Sequence, residues 1–229
     1  MPTHFSTGVS NTSSGDPLYE FGMMDPTKWQ ISWHDFIEPP LAAQWTLTAV
    51  SAGTGTSAFS TPDVAGGIAL MTGAANENDG LWAETLGESF LMLANKKAFV
   101  KARLKVSDAT QSDWVMGLHS TSTTPLSAAM RFLFKSEDGA ATVEFNVDDN
   151  TTDTDSGTLH TMVDDTFVVL AAYWDGIDKI RCYVNGALTE TISSSAIPGA
   201  EMGVGFGYIA GAAGVDTASF DYLLVINER

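Results

Sequence analysis

A chain of 229 residues with 44% hydrophobic and 10% aromatic content has the makings of a packed core, which excludes wholesale disorder. Eleven basic residues against 28 acidic ones give a formal charge of −17, which repels nucleic acid and anionic membrane at long range, so neither is expected as a partner. The single cysteine, Cys182, excludes an intrachain disulfide framework, and 21 glycines among many Ser and Thr favour strands and turns over helices.

Residues 1–40 differ from the rest of the chain. They carry turn formers, prolines and scattered aromatics without a sustained period, and read as an extended N-terminal arm. The arm is too apolar for a solvated linker. Either it folds back over its own domain or it lies across a partner as a strap, and Phe21, Met23, Pro26, Trp29, Trp33 and Phe36 are its candidate partner-binding residues. No basic-then-apolar leader pattern opens the chain, and no run approaches the roughly 18 apolar residues that span a bilayer. The expectation is a protein made soluble inside the cell.

Residues 41–229 read as one all-β domain. AAQWTLTAV and GGIALMT look like its first two strands, separated by a Gly/Thr/Ser loop. Residues 81–93 are ambiguous between helix and strand, and Gly87 tips the reading to short strands. From Ala98, Val100, Ala102, Leu104 and Val106 alternate against Phe99, Lys101, Arg103 and Lys105, which predicts a strand with one wet face. Its three cations are expected to meet carboxylates across the sheet. Residues 128–134 and 141–147 flank the turn KSEDGA as a hairpin, and DDNTTDTDSG comes next as a polar loop.

The strongest signals lie in residues 166–192, TFVVLAAYWDGIDKIRCYVNGALTETI, where Asp175-Gly176 and Asn185-Gly186 separate three β-type runs. Asn-Gly suits a two-residue turn because both residues tolerate positive φ. A three-stranded meander results, with Ile180, Cys182 and Val184 on its buried face. Cys182 is therefore expected to be an inert core thiol. About 12 to 14 short strands at regular spacing, without helical alternation, predict a two-sheet antiparallel jelly-roll β-sandwich.

Signals for chemistry are weak. Glu144 and Asp148 share a strand face, but four extended residues separate them by about 13 Å, beyond the paired-carboxylate distance of a glycosidase. Asp148, Asp149, Asp153 and Asp155 lack calcium-loop spacing, and His4, His34, His119 and His160 lack zinc spacing. Gly203, Gly205 and Gly207 are spaced by two inside a strand, which suits close packing better than phosphate binding. No catalytic residue, cofactor or metal is expected. Trp114 and Trp174 are expected in the core, while Trp29 and Trp33, four apart in the arm, suit an interface anchor.

With IPGAEMGVGFG and TASFDYLLVINER, the residue 166–192 meander resembles the laminin-G-like and concanavalin A-like sandwich superfamily. The whole chain is similar to a family of tailed-bacteriophage structural proteins. The shared segments are MMDPTKWQISWHDF, GESFLML, KAFVKARLKVSDATQSDWVMGL, KSEDGAATVEF and FDYLLVINER. That resemblance implies a non-enzymatic virion protein: a capsid decoration or cement protein on the outer capsid surface, bound to the major capsid protein. A homo-oligomer follows from a symmetric lattice, with a trimer at a three-fold position as the guess. The alternative is a lectin-like module that binds a surface glycan, since fold does not fix function.

Overall fold

The computed structural model describes residues 28–38, 43–53, 55–62, 64–194 and 196–229. The strands run β1 (Trp29–His34), β2 (Trp45–Val50), β3 (Ala58–Ser60), β4 (Ala69–Thr72), β5 (Gly80–Thr85) and β6 (Ala98–Val106). Then come β7 (Ser112–His119), β8 (Met130–Ser136), β9 (Thr142–Asp149), β10 (Asp153–Asp155) and β11 (His160–Thr161). The last five are β12 (Val168–Trp174), β13 (Lys179–Val184), β14 (Ala187–Ser193), β15 (Gly203–Ala210) and β16 (Thr217–Glu228). A single 3-10 turn, Pro125–Ser127, interrupts them among the described residues.

Two antiparallel eight-stranded sheets form a sandwich, as the jelly-roll expectation required. Sheet A runs β14-β13-β12-β6-β16-β4-β3, with β1 also paired to β16; sheet B runs β10-β9-β8-β7-β15-β5-β2, with β11 paired to β9. Along the central strands every other residue enters the space between the sheets. Val100, Ala102, Leu104 and Val106 of β6 do so, as do Leu170, Ala172 and Trp174 of β12 and Phe220, Leu223 and Val225 of β16. Sheet B answers with Trp114 and Met116 of β7, Phe132 and Phe134 of β8, and Val204, Phe206 and Tyr208 of β15. Burying one such side chain contributes about 1.5–3 kcal/mol. Phe206 lies 5.1 Å from Phe220, and Phe145 lies 4.8 Å from both Phe132 and Phe134. Such ring pairs add about 0.5–1.5 kcal/mol each beyond burial.

The meander folds as its turn chemistry dictates at one end and departs from it at the other. Asn185 and Gly186 both take positive φ, 49° and 82°, and join β13 to β14 directly. At the Asp-Gly pair only Gly176 is left-handed, at 86°, and the connection widens to residues 175–178. The Asp175 carboxylate explains the wider loop, because its Oδ1 accepts from the backbone N–H of Ile177, Asp178 and Lys179. Ile180, Cys182 and Val184 are buried, and burial pushes the Cys182 thiol up to about 12, so no thiolate forms near neutral pH.

One boundary needs correction. The sandwich starts before residue 41, because Trp29–His34 pairs along β16 from Glu228 to Leu223. Residues 28–36 thus belong to the domain and not to an arm. Phe36 takes a positive φ of 54° just after β1 and is 4% exposed, with its ring 4.9 Å from Phe206. It plugs the end of the core between the two sheets.

Candidate interaction surface

Each sheet has an outer face, and the sequence builds the two differently. On sheet B, β15 presents Gly203, Gly205 and Gly207 outward, so its centre is a bare trough. Neighbouring side chains fill that trough. A Cβ on Gly207 would lie 2.1 Å from the Trp82 ring, and one on Gly205 would lie 2.0 Å from His119 Nε2. Val115, Leu133 and Ile209 complete the patch around Trp82, and Leu126 of the 3-10 turn packs onto it. The loop carrying Leu126 is tied down by two acids: Glu88 accepts from Thr121 N–H, and Glu84 accepts from Ser122 N–H at 3.3 Å.

His119 is 1% exposed and 2.9 Å from the Ser120 carbonyl oxygen through Nδ1, which makes Nδ1 the protonated nitrogen. Burial lowers its pKa and keeps the ring neutral. Burial likewise raises the Glu84 pKa, and the two groups stand 3.9 Å apart. A neutral imidazole beside a carboxyl group is acid–base equipment, but a ring packed against Gly205 leaves a substrate no access to it.

Further along the same face, Arg131 is 7% exposed and organises the acidic loop. Its Nε donates to Asn146 Oδ1 at 2.6 Å, its Nη1 to the Ala128 carbonyl at 2.8 Å, and its Nη2 to Asp148 at 2.7 Å and Asp153 at 3.2 Å. Asn146 in turn donates to Asp153 and Asp155 at 2.5 and 2.6 Å. The segment expected as a polar loop is therefore a hairpin strand, β10, bolted to β9 by side chains. Asp149 instead caps its own turn, accepting from Thr151 and Thr152. Among the described residues no cluster of His, Cys, Asp and Glu is disposed to hold a metal ion.

Glu144 lies beside Lys135, not beside Asp148, because the two strands place Lys135 opposite Glu144 and Arg131 opposite Asp148. Partial burial pulls the Lys135 pKa down, but Glu137, Asp155 and Glu144 together hold it above its usual value. Lys135, Glu137 and Glu144 line an open cleft of about 180 Å³ at the β8–β9 turn. Nearby, Asp113 is pushed up to about 6 by burial, with Asp138 and Glu137 adding repulsion.

The outer face of sheet A is aromatic and cationic. Phe99, Ala171, Tyr173, Leu224 and Ile226 form a buried patch there, with Trp29 and Tyr183 packed against it. Arg103 pairs with Asp221, and Lys105 with Asp165 at 3.2 Å, so two cations of the β6 row do meet carboxylates. Both also lie over the Phe167 ring, at 4.0 and 5.5 Å, an arrangement that holds a charged head against an apolar face.

At the β1 end this face is open. Trp29, Ile31 and Trp33 point outward while Gln30, Ser32 and His34 point toward sheet B, where His34 meets the Trp45 ring at 4.8 Å. Burial lowers the His34 pKa, and Asp35 partly offsets that. Ile31 is 41% and Trp33 52% exposed, and the Trp33 ring stacks on Tyr222 at 5.6 Å and 27°.

Of the six residues the sequence singled out, Trp29 and Trp33 therefore share one outer face, while Phe36 turns into the core and offers a partner no surface. Phe21, Met23 and Pro26 lie outside the described residues. Sequence reasoning misses Tyr222, the partner of Trp33, because it reads only as part of a closing strand. It also misses the exposed edge of β2, although WTLTAV is a six-residue run without charge.

Solved structures share this two-sheet antiparallel sandwich architecture. A Shewanella oneidensis MR-1 protein of unknown function, SO2946, superposes with a TM-score of 0.60 at 15% identity, covering 88% of this chain and 87% of that one. The carbohydrate recognition domain of Emp47p gives 0.57 at 8% identity, covering 89% and 98%. An endo-1,3-beta-glucanase from Streptomyces sioyaensis gives 0.54 at 13% identity, covering 89% and 98%. At such identities the likeness is one of fold, shared by a recognition domain and a hydrolase alike. No family model matches the chain. No curated protein matches its sequence.

Proposed function

We propose that this chain is a non-enzymatic structural protein of a tailed-phage virion: a decoration or cement protein on the outer surface of the head, held by the major capsid protein. The reading starts from what the segments MMDPTKWQISWHDF, GESFLML and FDYLLVINER imply by their resemblance to phage structural proteins. The structural observation that supports the reading is the outward face of β1, where Ile31 and Trp33 are 41% and 52% exposed. Large apolar side chains in the middle of a contact supply most of its binding energy. Many copies on a symmetric lattice add avidity through effective concentration, and a trimer at a three-fold position fits that arrangement. A non-catalytic role is supported by the outer face of sheet B, where Arg131 engages Asp148 and Asp153 and the trough over β15 is filled.

The test is sedimentation with purified heads lacking this protein. The full chain is expected to co-sediment, and a chain without residues 1–27 that also carries Trp33→Ala is expected to stay in the supernatant with its thermal unfolding transition intact. Because β1 and Phe36 belong to the sandwich, the truncation stops at residue 27. Undiminished binding by that variant would sink the anchoring role.

A second reading, a glycan-binding module of the virion, is favoured by the Trp33–Tyr222 stack, a flat aromatic surface of the kind on which the C–H face of a sugar lies. It predicts glycan-array signals that vanish in Trp33→Ala. Binding to heads without any glycan signal leaves the decoration reading alone.

A further inference from the structure

Four features converge on one flank of the sandwich. The first is exposed apolar surface. Of the eleven large hydrophobic side chains exposed among the described residues, six lie along the side where β1 edges sheet A and β2 edges sheet B: Ile31, Trp33, Ile37, Leu47, Val64 and Leu86. Leu86 belongs there because its N–H donates to the Gln44 carbonyl just before β2. Val64 belongs there because its turn packs Gly67 against the backbone of residues 35–37. Of the other five, Leu93 and Ile177 lie on two loops joined by the Asn95-to-Gly176 backbone bond, while Val163, Leu188 and Val215 lie on three further segments, and isolated exposed apolar residues are ordinary.

The second feature is the contrast among sheet edges. An edge strand offers unpaired N–H and C=O groups, and proteins blunt it with charge, short length or bulges. Strand β3 is three residues long, β10 is three with two aspartates, and β14 carries Glu190 and a register shift against β13. Strand β1, six residues without Asp, Glu, Lys or Arg in continuous register with β16, has none of these, and neither does β2, which is six residues, uncharged and in continuous register with β5. The Leu86-to-Gln44 bond fixes its phase. Gln44, Thr46, Thr48 and Val50 turn their backbone groups toward β5, so those of Leu47 and Ala49 point to the open side.

The third feature is charge. Asp35 and Glu38 sit at the bend between β1 and β2 in a chain of net charge −17, so a second copy would bring identical acidic flanks together. The fourth is continuity, since β1 on this flank is the strand that residues 1–27 lead into.

We propose that the β2 edge takes an extended, apolar segment of net positive charge from the major capsid protein as an added antiparallel or parallel strand. Backbone bonding runs through Leu47 and Ala49, and Leu47, Leu86 and Ile37 receive the apolar side chains. Main-chain pairing supplies affinity and alternate side chains supply selectivity. The inference rests on the decoration reading and specifies its contact.

The experiment is head binding by the full chain and by three variants: Leu47→Lys, which places a charge on the edge; Ala49→Pro, which removes one outward N–H without touching the β5 ladder; and Leu188→Lys on β14 as the control. Head affinity is expected to fall at least tenfold for both β2 variants and to stay within twofold of the parent for the control, with all unfolding transitions cooperative. Parental affinity in either folded β2 variant overturns the proposal. A parent that forms oligomers which the β2 variants dissolve in analytical ultracentrifugation identifies a second copy as the occupant and overturns it too. If a β2 variant does not fold, amide exchange of the unaltered protein decides: slowed exchange at Leu47 and Ala49 on heads supports the proposal, and unchanged exchange refutes it. Failure of the full chain to bind heads removes the decoration reading itself, and the proposal with it. That outcome is distinct from binding by every variant.

Discussion

On the outer face of sheet B, the charged groups around Arg131 are consumed by one another, as it spreads over Asn146, Asp148, Asp153 and the Ala128 carbonyl, while Trp82 and His119 fill a glycine trough with Trp82 Nε1 and His119 Nε2 buried and unbonded. On the β1–β2 flank the reverse holds, with Ile31, Trp33 and Leu47 between 41% and 52% exposed and, among the described residues, no strand paired to the outer edge of β2. Both regions are conspicuous in the sequence, one for its acids and one for its aromatics. The difference teaches that residue types which catch the eye mark a working surface only when their bonding capacity remains unspent.

Substitutions that separate the two regions should divide cleanly between stability and binding. The largest stability effect is expected from Arg131→Met, which strands Asp148 and Asp153 beside Asn146. A loss of about 3 kcal/mol in urea unfolding follows from breaking a buried charge network, tempered because Asp153 is half exposed. A loss below ~1 kcal/mol would mean that the network is solvated and the face open to ligands. Gly207→Ala comes next, at about 1–3 kcal/mol, because the added methyl meets the Trp82 ring and the Leu81 carbonyl within 2.6 Å. Neither change should alter head binding at temperatures where the variant is folded.

A smaller effect is set by pH. The Asp113 pKa is raised to about 6 by burial, so the folded chain holds this proton more tightly than the unfolded chain does. Its contribution to stability is therefore present below the ordinary carboxylate pKa and is lost as pH rises through about 6. Asp113→Asn should remove that fall, and the parent-minus-variant difference in Tm should shrink from pH 4 to pH 7; a difference that stays flat contradicts the assignment. The smallest stability effect belongs to Trp33→Ala, about 1 kcal/mol, because the indole is half in solvent and loses only its stack on Tyr222, although partner binding should drop most.

The fold is legible wherever side chains alternate with apolar residues inward. Ile180, Cys182 and Val184, or Val100, Ala102 and Leu104, announce their strands because burial and period agree. Strand β1 alternates just as strictly, as Trp29-Gln30-Ile31-Ser32-Trp33-His34, yet it reads as an arm because its polarity is inverted: Trp33 faces out and His34 faces in. Phe36 misleads for a related reason, since a left-handed bend at the residue itself swings the ring into the core, and no local pattern signals that. The acidic segment after β9 looks like a solvated loop because the cation that orders it, Arg131, sits 17 residues before Asp148. The open edge of β2 emerges only when all the sheet edges are compared, which requires the strand order.

Hydrogen–deuterium exchange of the protein free and bound to purified heads tests the central claim most directly, because it reports both regions in one measurement. The account predicts slowed exchange over residues 29–34 and 45–50, with residues 131–155 unchanged. Slowed exchange confined to residues 113–155 would move the working surface to the outer face of sheet B and contradict the account.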